Sequence, residues 1–205
     1  MGKQMADLEG YFRGLTPARD GLLLELEAEA ATEGIPIVGP VAGRLLTILA
    51  GLAGGGAVLE LGAASGYSAI HLGRGMRAGG RLVSIERSPA MAARARANLA
   101  RAGLAVSWSV LEGGADELLP GLDGPFDLAF LDIDKAGYAP ALPHCRRLLR
   151  PGGLLAADNT SFGAAADFIA ALAADPAWRA AHLLCFLPGH SPEQDGLSLA
   201  LRLPD

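Results

Sequence analysis

Acidic side chains recur in this sequence where apolar runs end. "AVLELG" closes on Glu60 and Gly62, "RLVSIE" on Glu86, "FDLAFLDID" on Asp132 and Asp134, and "GGLLAADN" on Asp158 and Asn159. Only 19% of the residues are charged, so this placement is not an accident of composition. Asp132, Asp158 and Asn159 supply two carboxylates and an amide carbonyl. That all-oxygen set suits a hard divalent cation such as Mg2+, which keeps its remaining positions for water and substrate oxygens. The same Asp and Asn also fit a turn cap, and Asp134 is read as structural because Asp132 is the better-placed ligand. Lys135 follows three residues after Asp132, in a chain where 15 of 17 cationic residues are arginine. A lysine can give up its proton when desolvated or near a metal, whereas an arginine cannot. Lys135 is therefore the candidate general base.

The turn "GAASGYS" asks for a second ligand. Gly62 and Gly66 sit between a buried strand and a helix start, where a backbone without Cβ atoms can approach a cofactor closely. The third glycine of the dinucleotide pattern G-x-G-x-x-G is missing, which argues against a pyrophosphate. Glu86 follows Gly66 by 20 residues, the offset at which a carboxylate pairs with ribose hydroxyls. A nucleoside without phosphate fits both facts, and S-adenosylmethionine is the natural candidate. An NADP reading, prompted by Arg87, and a non-catalytic nucleotide-binding module remain as alternatives. The four histidines share no metal or triad spacing and are read as structural or surface residues. Tyr138 either lines the site or packs on the next helix.

These residues need a scaffold that brings strand ends together. Strands and helices alternate from Ala57 onward, the pattern of a parallel sheet covered on both faces. Thr16-Pro17 reads as the start of a helix running to about Glu33, with Glu25, Glu29 and Glu33 on its solvated face. "VAGRLLTILAGLA" is a second helix. Ser88, Pro89 and Gly103 bracket a helix as cap, first turn and C-terminal stop. "HLLCFLP" and "LSLALRL" are expected as an antiparallel pair at the sheet edge. The expected fold is α/β: a Rossmann-like, doubly wound, mostly parallel seven-stranded sheet with an antiparallel edge strand and added N-terminal helices, one domain over residues 1–205.

Composition removes several function classes. The net charge of -5 and the scattered cations offer no footprint for nucleic acid. The N-terminal "MGKQMADLEG" lacks the apolar core of a signal peptide, and Leu45 to Leu59 is too short and glycine-rich to span a bilayer. A cytoplasmic protein without membrane contact is expected. Cys145 and Cys185 lack C-x-x-C spacing and read as reduced core thiols.

In order, "VLELGAASGYSAIHL", "LVSIERSPAMAARARANLARAG", "LEGGADELLPGL", "FDLAFLDIDKAGY", "LLAADN" and "DGLSLALR" resemble the motifs of cation-dependent class I O-methyltransferases. That group contains the catechol and caffeoyl-CoA O-methyltransferases, and the resemblance runs from about Arg19 to Arg202. It implies that Val38, Glu60, Gly62, Ser68, Glu86, Gly113, Ala115 and Asp132 bind S-adenosylmethionine, with Ser68 near the methionine carboxylate and Ala115 meeting the adenine. It implies Mg2+ or another divalent cation on Asp132, Asp158 and Asn159, with Lys135 as base. The implied reaction moves a methyl group to a hydroxyl of a small catechol-like or phenolic acceptor, in a homodimer. Two departures stand out. The loop after Asn159 is short, and "GHSPEQ" is a small insertion that can rim the acceptor pocket.

Overall fold

The computed structural model describes residues 5–204; the first four residues, Lys3 among them, lie outside the described residues. Seven strands form one sheet: β1 (Ala57–Leu61), β2 (Arg81–Glu86), β3 (Ser107–Glu112), β4 (Phe126–Leu131), β5 (Leu149–Ala157), β6 (Trp178–Phe186) and β7 (Gln194–Arg202). Their order is β3-β2-β1-β4-β5-β7-β6. The first five run parallel, and β7 is antiparallel to both β5 and β6. This is the expected doubly wound sheet. The chain winds outward in one direction through β2 and β3 and in the other through β4 and β5. The crevice at the carboxyl ends of β1 and β4 is thus the switch point where such folds bind ligands.

Burial on both faces explains the strand sequences. In β1, Val58 belongs to one apolar cluster, whereas Leu59 and Leu61 belong to the other, as a period of two requires. The first cluster takes its helical side chains from α2 (Gly21–Glu33), α3 (Gly39–Leu52), α4 (Tyr67–Gly75) and α5 (Pro89–Ala102). The second takes them mainly from α7 (Tyr138–Leu148) and α8 (Ala166–Ala174). The turn α6 (Ala115–Leu118) follows β3. Ser88 caps α5 by accepting from Met91 N at 3.4 Å, Pro89 opens it, and Gly103 ends it in the left-handed conformation, as expected.

Four expectations need correction. The helix expected from Thr16-Pro17 begins instead at Gly21, because the Asp20 carboxylate accepts from Leu23 N at 3.0 Å and supplies the cap. An additional helix, α1 (Leu8–Gly14), precedes it with no buried residue. The glutamates of α2 are paired rather than merely solvated: Glu25 meets Arg101 at 2.6 Å, and Glu29 and Glu33 meet Arg94 at 2.7 and 2.6 Å. Cys145 is fully buried, with burial pushing its thiol up to about 12, but Cys185 is only partly buried. Among the described residues no helix is long and apolar enough to cross a membrane.

Candidate active site

The hydrogen-bond ladder continues past the strand ends and sets the site. Asp132 N donates to Leu61 O at 2.8 Å, and Asp158 N donates to Leu131 O at 3.0 Å. The end of β4 therefore crowds the turn after β1. A Cβ at Gly62 would lie 2.0 Å from Asp132 O, and its φ of +95° excludes other residues as well. Gly66 heads α4 at φ +88°, with Ala95 backbone 3.1 Å from where a Cβ would be. Tyr138 resolves toward packing: it is fully buried, and its hydroxyl lies 3.0 Å from the carbonyls of Leu131 and Asp158, clasping the ends of β4 and β5.

Above these ends lies a cavity of about 800 Å3, well within the range for a cofactor and a small substrate. Its wall includes Val38, Gly62, Ser68, Glu86, Gly113, Ala115, Asp132, Lys135, Asp158 and Asn159, so nearly all the residues singled out in the sequence converge there. Glu60 does not reach the wall. It is fully buried beneath, with Oε2 accepting from Ser84 Oγ at 2.5 Å and Oε1 without a partner. Burial pushes its carboxyl up to about 7, partly offset by the Ser68 and Ser84 hydroxyls.

On the glycine-turn side, Glu86 accepts from Ala64 N and Ser88 N at 2.8 Å each, one per oxygen. Those bonds hold the carboxylate over the turn and leave each oxygen a further lone pair. Ser65 Oγ, also at the wall, is buried without a partner. Among the described residues, the non-glycine positions with positive φ are Ala64 (42°) and Asn159 (49°). Both are on this cavity, and backbone strain of this kind collects at functional sites.

On the opposite side, Lys135 Nζ donates to Asp132 Oδ1 at 2.9 Å. Burial pushes the Asp132 carboxyl above its usual range; Lys135 works against that rise and nearby Asp158 adds to it. The Asn159 side chain is oriented by its donors: Nδ2 bonds to the Asp195 carboxylate and to Ser191 O. Both partners only accept, so the amide oxygen faces away from them. Asp195, fully buried, also accepts from Ser161 Oγ and from Gly196 N at 2.6 Å. Asp134 caps the turn before α7 by accepting from Ala136 N, the structural role expected of it.

The structure makes one reading more specific. His190, expected to be structural or on the surface, is buried and hydrogen-bonded and also borders the cavity. It reaches the cavity from the "GHSPEQ" loop, which does rim the site, and its Nε2 lies 2.8 Å from Asp158 Oδ2. Both side chains are only 2% exposed. Burial disfavours its imidazolium, but the bond to Asp158, with the Pro192 carbonyl and Asp195, outweighs this and leaves its pKa raised. His144 also borders the cavity. The signal for His190 was a polar insertion next to the strand that pairs with β5, but histidine spacing in the sequence carried no trace of it.

A family profile described as O-methyltransferase matches residues 19–171, about three quarters of the chain. The chain belongs to the O-methyltransferase family. Among its relatives, a catechol O-methyltransferase of Niastella koreensis is 38% identical over 158 residues, covering 74% of this chain and 72% of that protein. The O-methyltransferase TomG of Streptomyces achromogenes, solved in complex with SAM, superimposes with a TM-score of 0.87 at 29% identity, covering 97% of this chain and 96% of the other. An O-methyltransferase of Bacillus cereus, solved in complex with SAH, gives 0.84 at 29% identity over 95% and 96%. This O-methyltransferase is thus an S-adenosylmethionine-dependent enzyme with a Rossmann-like fold. Neither the oxidoreductase nor the non-catalytic alternative stands.

Proposed function

We propose that this O-methyltransferase carries out divalent-cation-dependent transfer of the S-adenosylmethionine methyl group to a hydroxyl of a small phenolic or catechol-like acceptor. The observation that carries this reading is the convergence on one cavity wall of Asp132, Asp158 and Asn159, with Lys135 bonded to Asp132. Their donor set is chemically right for a hard cation, and with the Asn159 amide nitrogen taken up by Ser191 O and Asp195 its oxygen is left for a ligand. On the other wall, Glu86 takes the ribose hydroxyls, the partnerless Ser65 Oγ and Ser68 face the cofactor, and Val38, Gly62, Gly113 and Ala115 enclose it. Glu60 acts from beneath the turn, its carboxyl bonded to Ser84.

A divalent cation at the oxygen set would supply Lewis acidity toward the acceptor hydroxyl and a grip on two vicinal oxygens. Lys135 receives the hydroxyl proton. The acceptor oxygen forms its bond to the methyl carbon as the sulfonium C–S bond breaks, and S-adenosylhomocysteine leaves. The rigid strand ends and the Tyr138 clasp hold the reacting groups in place, which is where the proximity advantage comes from. A homodimer belongs to the same proposal, and light scattering on the purified protein reads it directly. The deciding experiment is a screen of catechols and phenolic thioesters with isotopically labelled S-adenosylmethionine, with and without chelator. Labelled catechol ethers that vanish on chelation support the reading; undiminished transfer in chelator overturns it.

A further inference from the structure

We propose that the acceptor is an elongated molecule whose uncharged tail lies in a second groove, entered from the active-site cavity between Pro36 and Ile37 on one lip and Ser191 on the other. This rests on the methyl-transfer reading above and narrows its acceptor to one class: a phenol or catechol carrying a neutral, largely apolar extension.

The groove has a volume of about 700 Å3, and Pro36, Ile37 and Ser191 border both it and the active-site cavity. Ser191 stands at the reacting end, where its carbonyl accepts from Asn159 Nδ2 at 3.4 Å and its neighbour His190 is bonded to Asp158. The other lip runs into Val38 on the cavity wall. An acceptor hydroxyl placed at Asp158 and Asn159 therefore has the mouth of the groove beside it. The active-site cavity alone has room for the cofactor and a small ring, so the groove is space that a bare catechol does not use. Its mouth is preformed. A Cβ at Gly39 would lie 2.3 Å from Gly189 O, and one at Gly189 would lie 2.9 Å from Pro40 Cδ, so the two lips are packed backbone against backbone. A tail that enters walls already in place gives up less free energy to ordering than one that must shape them.

The lining decides the chemistry of the tail. Ala31, Ile35, Pro36, Ile37, Pro40 and Pro188 give the groove apolar walls. Its charged side chains among the described residues, Arg13, Arg19, Glu27 and Glu193, form two closed pairs. Arg13 grips both oxygens of Glu193, at 2.8 and 2.5 Å. Arg19 Nε donates to Glu27 at 3.1 Å, and Glu27 takes a further bond from the Tyr67 hydroxyl at 2.7 Å. A phosphate or carboxylate tail needs arginine donors to spare, and an ammonium tail needs a spare carboxylate. The groove offers neither, and opening a pair to supply one leaves the other charge behind.

The test is a set of three acceptors on the full-length protein with Mg2+ and labelled S-adenosylmethionine: catechol, a catechol with a neutral alkylamide chain opposite the diol, and the same chain ending in phosphate. The neutral-chain acceptor should exceed catechol in kcat/KM roughly tenfold or more, mainly through KM, because burial of the tail is felt equally before and during transfer. The phosphate-ended chain should show no such gain. Ala31→Trp, at an exposed position of α2 on the groove, should bring the neutral-chain acceptor down to the level of catechol. Glu193→Gln takes the carboxylate from Arg13 and should raise the phosphate-ended acceptor relative to the neutral one. If Ala31→Trp does not fold, the wild-type comparison decides by itself. Equal kcat/KM for catechol and its neutral-chain derivative overturns this inference and leaves the methyl-transfer reading standing, as does a preference for the phosphate-ended chain or a gain that survives Ala31→Trp. Transfer to none of the three overturns both.

Discussion

Glu60→Gln tests how the protein bears a buried charge under its active site. Glu60 is fully buried, one of its oxygens has no partner, and its carboxyl is raised from 4.5 to about 7. The folded state therefore holds the proton more tightly than the unfolded chain does. Its contribution to stability is complete below pH 4.5, declines as pH rises through the window from 4.5 to about 7, and is gone above it. At about 1.36 kcal/mol per unit, that window corresponds to about 3 kcal/mol. Glutamine keeps the shape and does not titrate. Urea unfolding of both proteins at pH 4.5 and pH 8 should show the variant gaining about 3 kcal/mol relative to wild type between the two conditions, whatever the substitution costs at the lower pH. A difference that is the same at both pH values would refute the raised pKa and the desolvation argument behind it. The ligand's sulfonium and ammonium favour the charged form of Glu60. S-adenosylmethionine binding should accordingly tighten with pH across this window in wild type and stay level in the variant.

The remaining expectations can be checked on the same protein. Lys135→Arg keeps the charge beside Asp132 but cannot accept a proton, so steady-state turnover should fall about 10²-fold or more, while calorimetry finds S-adenosylmethionine affinity unchanged. Asp158→Ala should lose chelator-sensitive activity and still bind S-adenosylmethionine in a dialysis assay. Glu86→Ala should weaken that binding by roughly 1 to 3 kcal/mol, the scale of a lost charged hydrogen-bond partner; unchanged affinity in a folded protein would take Glu86 out of the site. At the opposite end of the sheet, Asp127 accepts from Gly56 N, Ala57 N and Arg150 Nε. Its replacement by alanine should cost roughly 1 to 3 kcal/mol in denaturant unfolding without changing S-adenosylmethionine affinity.

What the sequence disclosed follows from how local each signal was. The strand ends, the glycine turn and the Ser88 to Gly103 helix are encoded within a few residues, by periodicity, caps and φ requirements, and they were found. The start of α2 was misplaced because Thr16-Pro17 and Asp20 both offer a cap four residues apart, and only packing chooses Asp20. The pairing of α2 glutamates with Arg94 and Arg101 spans 61 and 76 residues, a relation that no helical wheel displays. The contact of His190 with Asp158 was out of reach for the same reason. The two are 32 residues apart and meet because β7 returns antiparallel beside β5, carrying the loop back over the carboxyl end of a parallel strand.

That return also explains how the cavity tolerates its acids. Asp132 and Asp158 occupy the ends of neighbouring parallel strands, so the sheet itself holds two like charges together in partial burial, an arrangement that costs free energy unless cations answer it. The protein supplies one partner to each: Lys135 to Asp132, and to Asp158 the His190 ring, whose charged form that carboxylate favours. Each partner comes from a different connection, one from the segment after β4 and the other from the loop between β6 and β7. Neither is carried by a strand. The strands thus fix the negative charges, and the connections between them bring the groups that answer those charges.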